Sequence, residues 1–579
     1  MVFFHYIYGL MKRFLISLIV ISSLVVGVYF CFFYSSVNHE FDEGSRIDKI
    51  ELVDQKTNDL VLLGQIWGFL KYYHPAVCRG EYNWDYELFR ILPEILDSKN
   101  PVNRDEILLD WIKNLGDVKP QKVKTSTKHE VKLLPDFSWM KKKSISDELI
   151  DQLLLIKNAE RTDSSYYIGL YKDTGIPKFK HEDAYASMKC PDVGFRILCL
   201  YRYWNIIQYY FPYKYLIGED WNNVLREFVP KFVNANSEYN YQLTVIALLA
   251  KVHDTHATTY SCQKAIYDYY GNYLPPLKVT FVEDKVLVID YLNEEAGKAS
   301  GLIKGDIIEK INGKPINEII KERLPLTPAS NYPTQLRKIA PDLLRSNKKT
   351  VSIEFRRNDS IFKVTVEAKP AWFRNHVNRP DTCFKWLPDS IAYLYMGTLK
   401  EEYVKNEFSK IGSPKGLIID FRCYPACAIL YLLEHGLMPE PKEFVKFTMP
   451  SIKQPGLFEF LDSYTIGKKN ENYYKGKIVI IVNEETQSAA EFYSMGLRIA
   501  PKAIVIGSTT AGADGNAPPI LLPGDIETYI SGIGVYYPDG KETQRIGIVP
   551  DIVVKPTIQG IKEGRDELLE KAVELINEK

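Results

Sequence analysis

Ser488 is the residue whose neighbours best prepare it for chemistry. It stands in the stretch KIVIIVNEETQSAAE, residues 477–491, between a β-branched run at 478–482 and an alanine-rich segment that reads as a helix. A strand of that kind is buried on both faces. A serine at its end, followed by a helix, has its backbone near the positive end of a helix dipole. A hydroxyl there attacks a carbonyl and leaves the resulting oxyanion beside free N–H groups. The same place also suits a plain helix N-cap, so nucleophile and cap stand as alternatives for the residue taken alone. No G-x-S-x-G elbow surrounds Ser488, which counts against a lipase-like hydrolase.

A second group with chemical potential comes from an internal repeat. Trp67, Pro75, Trp84 and Pro93 recur as Trp204, Pro212, Trp221 and Pro230, with the same spacings at a constant offset of 137 residues. WGFLKYYHP faces WNIIQYYFP, and LFRILPEIL faces LREFVPKFV, so two copies of one helical unit are expected. The offset carries on to LGDVK (115–119) and VHDTH (252–256), where His256 stands opposite Lys119. An imidazole is neutral and able to accept a proton near pH 7, which makes His256 the added chemistry of the second copy; a plain core or surface histidine is the alternative.

The elements that must position these residues span several domains. The 579 residues exceed what one hydrophobic core organises. Lysine plus arginine and aspartate plus glutamate both number 73, and no basic tract interleaved with aromatics appears, which excludes a nucleic-acid partner. Residues 14–34 carry no charge and follow Lys12-Arg13, a pattern that predicts a membrane anchor with a cytoplasmic N-terminus; a cleaved signal peptide starting at Met11 is the rival. Either segment exports the rest of the chain, as a protein anchored to the membrane and facing the periplasm or the cell exterior. Eight cysteines show no C-x-x-C metal spacing, and Cys423 and Cys427 read as packing residues. No metal or cofactor is called for, and GSTTAGADG (507–515) does not match a phosphate loop.

In chain order we expect an anchor or signal peptide over 1–36, helical copy one over 45–130, a linker over 131–185 and helical copy two over 186–265. A PDZ-like β domain follows over 270–370, then an α/β core over 385–579. The β domain is carried by GLIKGDII (301–308), ING (311–313) and the closing hairpin near 350–368, which resemble a PDZ domain; such folds capture peptide ends as an added strand. In the core, strands are expected at 391–395, 416–421, 478–482, 503–506 and 528–537, with a charged terminal helix over 563–578.

Four segments together, TQSAAE (486–491), the PDZ-like stretch, DFRCYPAC (420–427) and GIVPDI (547–552), resemble the C-terminal-processing (tail-specific) and tricorn-core serine peptidases over roughly residues 245–555. The resemblance implies a ClpP/crotonase-like α/β core and an exported endopeptidase acting on peptide or protein substrates. Ser488 matches the nucleophile. The Ala489 N–H matches one oxyanion donor, and Ala426 takes the place of the second, in a turn where the family usually has glycines. The processing type uses a lysine from the turn matching 509–519, which here holds none; the tricorn type uses a histidine, matched by His256 with Thr255 beside it. The family's orienting glutamate falls at Gln544, with Glu542 two residues away. Gln544 and the glycine-free turn leave a second reading, a catalytically weak or inactive member that binds peptides or a hydrophobic ligand.

Overall fold

The computed structural model describes residues 39–121, 129–141, 144–371, 382–403, 414–428, 430 and 436–578. The expected anchor at 14–34 lies outside the described residues, and among those described no helix is long and apolar enough to cross a membrane.

The helical half is built from two units that fold alike. In copy one the helices are Asp54–Tyr73, Trp84–Leu96 and Pro101–Lys113; in copy two they are Val193–Tyr210, Trp221–Asn234 and Glu238–Ala250. The second and third helices begin at the 137-residue offset in both copies, each capped by a side chain: Asn83 and Asn100 in one, Asp220 and Ser237 in the other. Each unit is closed by a reciprocal tryptophan pair. Trp67 Nε1 donates to the Trp84 carbonyl (3.0 Å) and Trp84 Nε1 to that of Trp67 (2.9 Å). Trp204 and Trp221 repeat the exchange at 2.7 and 3.0 Å. Large indoles are thus buried without leaving an N–H unpaired.

The two long first helices cross at their own equivalent positions. A Cβ on Gly64 would lie 2.5 Å from the Tyr201 ring, and one on Gly68 only 1.8 Å from the Asn205 amide. Tyr201 and Asn205 are the copy-two counterparts of those glycines at the same offset. At a pseudo-twofold contact each residue faces its counterpart, and two bulky side chains do not fit; copy one supplies the small member. Asn205 Nδ2 uses the space to donate to the Gly64 carbonyl (2.9 Å).

Residues 131–185 are not a linker. Trp139, Met140, Leu149, Leu153, Ile156 and Tyr167 are buried in the same core as both helical copies, and Val131–Leu133 pairs antiparallel with Phe458–Phe460. The polar residues that disguise the segment take part in buried ion pairs. Glu182 accepts from Lys71 (2.9 Å) and lies 2.9 Å from Arg202 Nε, while Arg202 also pairs with Asp85 (2.5 Å).

Residues 277–367 form a separate antiparallel sheet with its own core. Its strand order is 360–367, 350–357, 307–311, 285–291, 277–282, with Lys314–Pro315 beside Ile307–Ile311. The helix Tyr332–Ile339, capped by Asn331, projects from this domain toward the last one.

The C-terminal α/β core has a six-stranded sheet in the order Phe384–Leu387, Ile391–Tyr395, Gly416–Asp420, Lys477–Val482, Ala503–Gly507, Ile552–Val553. The first strand is antiparallel and the rest run parallel. Ile478 to Val482 are fully buried because both faces are covered, one by the helix Ala489–Leu497 and the other by Glu567–Asn577. The expected strand at 528–537 is two strands, Ile526–Tyr529 and Gly534–Tyr536. The break between them carries Ser531, whose backbone N–H is taken by a side chain instead of a ladder partner.

One buried histidine gives the helical half a pH dependence. His74 is 1% exposed with neither ring nitrogen bonded to another described residue, and burial lowers its pKa to about 4. The unfolded chain, near 6.5, therefore binds the extra proton between those values, so stability is complete above pH 6.5 and falls as pH drops toward 4, by roughly 3 kcal/mol for this group. Copy two carries Phe211 at the equivalent position. His74→Phe should flatten the fall in thermal midpoint between pH 6.5 and 4; an unchanged slope would mean that His74 is not the group responsible.

Candidate active site

Ser488 follows the end of the central strand Lys477–Val482, after a five-residue turn. Thr486 closes that turn, accepting from the Asn483 N–H (3.0 Å) and donating to the Phe421 carbonyl (2.7 Å) on the neighbouring strand. Ser488 has φ +55° and ψ −118°, a conformation that an L-residue with a Cβ rarely adopts. Two acceptors hold it there: its N–H is directed at the Ala513 carbonyl (3.0 Å) and at Glu491 Oε2 (3.1 Å). Ala489 opens the helix, and its N–H has no acceptor among the described residues. Ser488 therefore stands at a helix N-terminus whose first N–H, that of Ala489, is free.

Glu491 is buried and gathers the loop that faces the serine. It accepts from Gly512 N (2.8 Å), Ala513 N (3.0 Å), Ser488 N and the Thr510 hydroxyl. Burial raises its pKa, and these four donors pull it back down. Asp514 lies next to it, fully enclosed, with its carboxyl pushed well up by burial and by the Glu491 charge.

His256 comes from the loop after Glu238–Ala250. Its Nδ1 is 2.9 Å from Ser531 Oγ and 3.7 Å from Asp254 Oδ1. Asp254 is fully buried and accepts from Ser531 N (2.6 Å), Ser531 Oγ (3.1 Å), His256 N (3.1 Å) and Gln544 Nε2 (3.3 Å). The tautomer follows from this network. A carboxylate only accepts, so the Ser531 hydroxyl donates to Asp254 and its oxygen accepts from His256 Nδ1–H. That leaves Nε2 with a free lone pair. Burial lowers the imidazole pKa, the Asp254 charge raises it and Lys338 lowers it again.

The nucleophile turn and the histidine turn are tied to one short segment. Ala511 N donates to the Thr486 carbonyl (2.9 Å), Thr255 Oγ1 to the Ala511 carbonyl (3.3 Å), and Ser488 N to that of Ala513. No hydrogen bond joins Ser488 Oγ to His256. Thr255 is bound to Ser330 of the β domain, its hydroxyl accepting from the Ser330 N–H at 2.9 Å. Gln544 is buried against Asp254, with its Oε1 unpartnered among the described residues. Glu542 is not in this cluster; it pairs with Lys132 (2.8 Å) and accepts from Tyr215 (3.1 Å). The Ala426 N–H is taken by the Met396 carbonyl (3.0 Å). Asp254 and Ser531, the partners of His256, were not marked as site residues in the sequence. Asp254 had a signal in its place two residues before the histidine, whereas Ser531, a lone serine in SGIG, had none. Among the described residues no cluster of histidine, cysteine and carboxylate side chains could hold a metal.

Residues 390–554 match the model of peptidase family S41. Mature CPAF complexed with lactacystin superposes with a TM-score of 0.51 at 14% identity, over 66% of this chain and 99% of that one. The photosystem II D1 C-terminal processing protease gives 0.37 at 16% identity, over 64% and 98%. The tricorn protease gives 0.32 at 15%, over 73% and 42%. Identities this low speak for fold alone, and only the CPAF score among these three supports it. No curated protein sequence matches the chain.

Glu491 makes the site's geometry testable through stability. Glu491→Leu leaves the backbone N–H groups of Gly512 and Ala513 without their acceptor and Ser488 N with the Ala513 carbonyl alone, at a cost of about 1–3 kcal/mol per group that stays unpaired. The thermal midpoint should fall markedly more than in Glu491→Gln, which keeps one acceptor oxygen. Equal midpoints would show that the loop does not depend on this carboxylate.

Proposed function

We propose that this chain, a serine peptidase of family S41, cleaves peptide bonds with Ser488 as nucleophile and His256 as general base. The observation that carries the reading is that one segment, 511–513, is bonded both to the turn of a conformationally strained serine with a free Ala489 N–H beside it and to the turn of a histidine whose free lone pair is on Nε2. Ser488 Oγ attacks the scissile carbonyl as its proton passes to His256 Nε2. The oxyanion is met by the Ala489 N–H. The imidazolium then returns the proton to the leaving amine, and a water repeats the sequence on the acyl-enzyme.

The negative charge that steadies the imidazolium belongs, in this reading, to Asp254 relayed through Ser531, with Gln544 orienting Asp254 and Thr255 anchoring the turn. Glu542 then has no part in catalysis. Ala426 becomes the second oxyanion donor only if its N–H leaves the Met396 carbonyl, and Ser488 meets His256 only when substrate arrives. Both steps are ordinary for a resting enzyme, since catalytic hydrogen bonds commonly tighten in the substrate complex. The β domain over 270–370 acts as a PDZ-like module that adds a peptide end to its sheet. Residues 14–34 anchor an exported enzyme that faces the periplasm or the cell exterior.

Ser488→Ala should abolish peptide hydrolysis with little change in thermal midpoint. His256→Ala should lose about 10²–10⁴-fold in rate, and Lys119→Ala, at the same place in copy one, should change it little. Because the base must be neutral, kcat/KM should rise with pH through a pKa below the ordinary imidazole value, the direction set by burial and Lys338. An active His256→Ala enzyme, or equal losses at Lys119 and His256, would sink the base assignment. Removal of residues 1–36 should release the folded protein from membranes; continued sedimentation with them would place the anchor elsewhere.

A further inference from the structure

We propose that Lys338, a residue of the β domain, is a positioning residue for the peptidase reaction, holding the Thr255–His256 turn in place and setting a cation beside the imidazole. The proposal rests on the reading of His256 as the base.

The geometry points to this side chain. Lys338 belongs to the helix Tyr332–Ile339, outside the segment 390–554 that carries the family likeness. Its Nζ donates to the Thr255 carbonyl (3.1 Å) and the Pro328 carbonyl (2.6 Å), so it fastens the residue preceding His256 to the β domain. Ser330, from the same segment, fastens Thr255 a second time through its hydroxyl, which accepts from Thr255 N (2.9 Å). The adjacent Arg337 reaches the other side of the site, donating to the Glu484 carbonyl (2.6 Å) and Gln487 Oε1 (2.9 Å) in the turn before Ser488. Successive residues of this helix thus contact the nucleophile turn and the histidine turn.

The charges that act on these groups have opposing signs. His256 feels Asp254, which favours the imidazolium, and Lys338, which disfavours it. Lys338 feels Arg337, which disfavours its ammonium, and Asp254, which favours it; burial is the largest influence and brings its pKa to about 7. Below that pH the amine is protonated, so it opposes protonation of His256 over the range in which an imidazole titrates. Its presence keeps the base in its accepting form at lower pH, while Asp254 and Ser531 keep the ring oriented.

The test uses the full-length protein with 13C-labelled histidine. The His256 ring signal is identified by its loss in His256→Gln, and its titration is followed by NMR in Lys338→Met, Lys338→Gln and Lys338→Arg. Both neutral variants should move the His256 titration to higher pH and lower kcat by roughly 10- to 100-fold, with KM changed far less. Lys338→Arg, which keeps a cation and donors, should restore both. Glutamine keeps a donor for the carbonyls, so it stays informative if methionine fails to fold. A His256 titration that does not move in a folded neutral variant overturns the proposal. So does an arginine variant as impaired as the neutral ones, which would make the amine itself a reactant. A moved titration whose rate profile stays in place speaks against His256 as the base, and leaves the contact between Lys338 and the histidine standing.

Discussion

The buried carboxylate of Asp254 sets the terms for everything around it. A charge removed from water is tolerated only where donors replace the water. Asp254 finds them in its own turn at His256, in the backbone and side chain of Ser531, and in Gln544. Two stretches of chain nearly 300 residues apart in sequence, one carrying Asp254 and His256 and the other Ser531 and Gln544, must therefore converge on one atom pair. The convergence leaves one imidazole nitrogen committed and the other free.

Satisfying Asp254 explains the role of the helical half. Ser531 follows the hairpin formed by Pro519–Leu522 and Ile526–Tyr529, and that hairpin is fixed by the helical copies instead of the sheet of the core. Arg202 donates to the Leu521 carbonyl (2.9 Å), Tyr241 to that of Pro523 (2.6 Å), and Thr528 to that of Thr258 (2.9 Å). Arg202 is in turn locked by Glu182 and Asp85, one from the segment between the copies and one from copy one. The duplicated unit thus acts as a frame. Its second copy supplies the Asp254–His256 turn, and its first supplies the counterpart surface against which the second packs. The corresponding turn of copy one leads elsewhere: Lys119 is exposed, and its carbonyl accepts from Glu160 N (2.9 Å).

How much of this was legible depended on how local each cause was. The central strand and the helix after Ser488 could be read because residues 478–482 are buried on both faces and their composition says so. The tryptophan spacing could be read because both members of each reciprocal pair lie 17 residues apart in one unit. The segment 131–185 could not, since its charged residues signal solvent while Glu182 is in fact buried against Lys71 and Arg202. Ser531 was illegible for a related reason: its importance comes entirely from partners 275 and 277 residues away. Gln544 read as a lost charge, and the structure places a carboxylate two residues before the histidine, against the same glutamine.

The backbone of Ser488 is the remaining constraint. A non-glycine residue at φ +55° and ψ −118° costs on the order of 1–3 kcal/mol and persists only where its surroundings over-determine it. Here they do. The residues before it are pinned through Thr486 to the adjacent strand, and those after it are drawn into a helix whose Ala490 and Met495 are buried in the core. Its own N–H has two acceptors. A relaxed serine would keep the helix but lose the Ala513 and Glu491 contacts together, and with them the register of the 511–513 segment that also holds Thr255. The 511–513 segment therefore ties the strained serine to Thr255, the residue before His256, which is why the two turns occupy fixed places although no hydrogen bond joins their side chains.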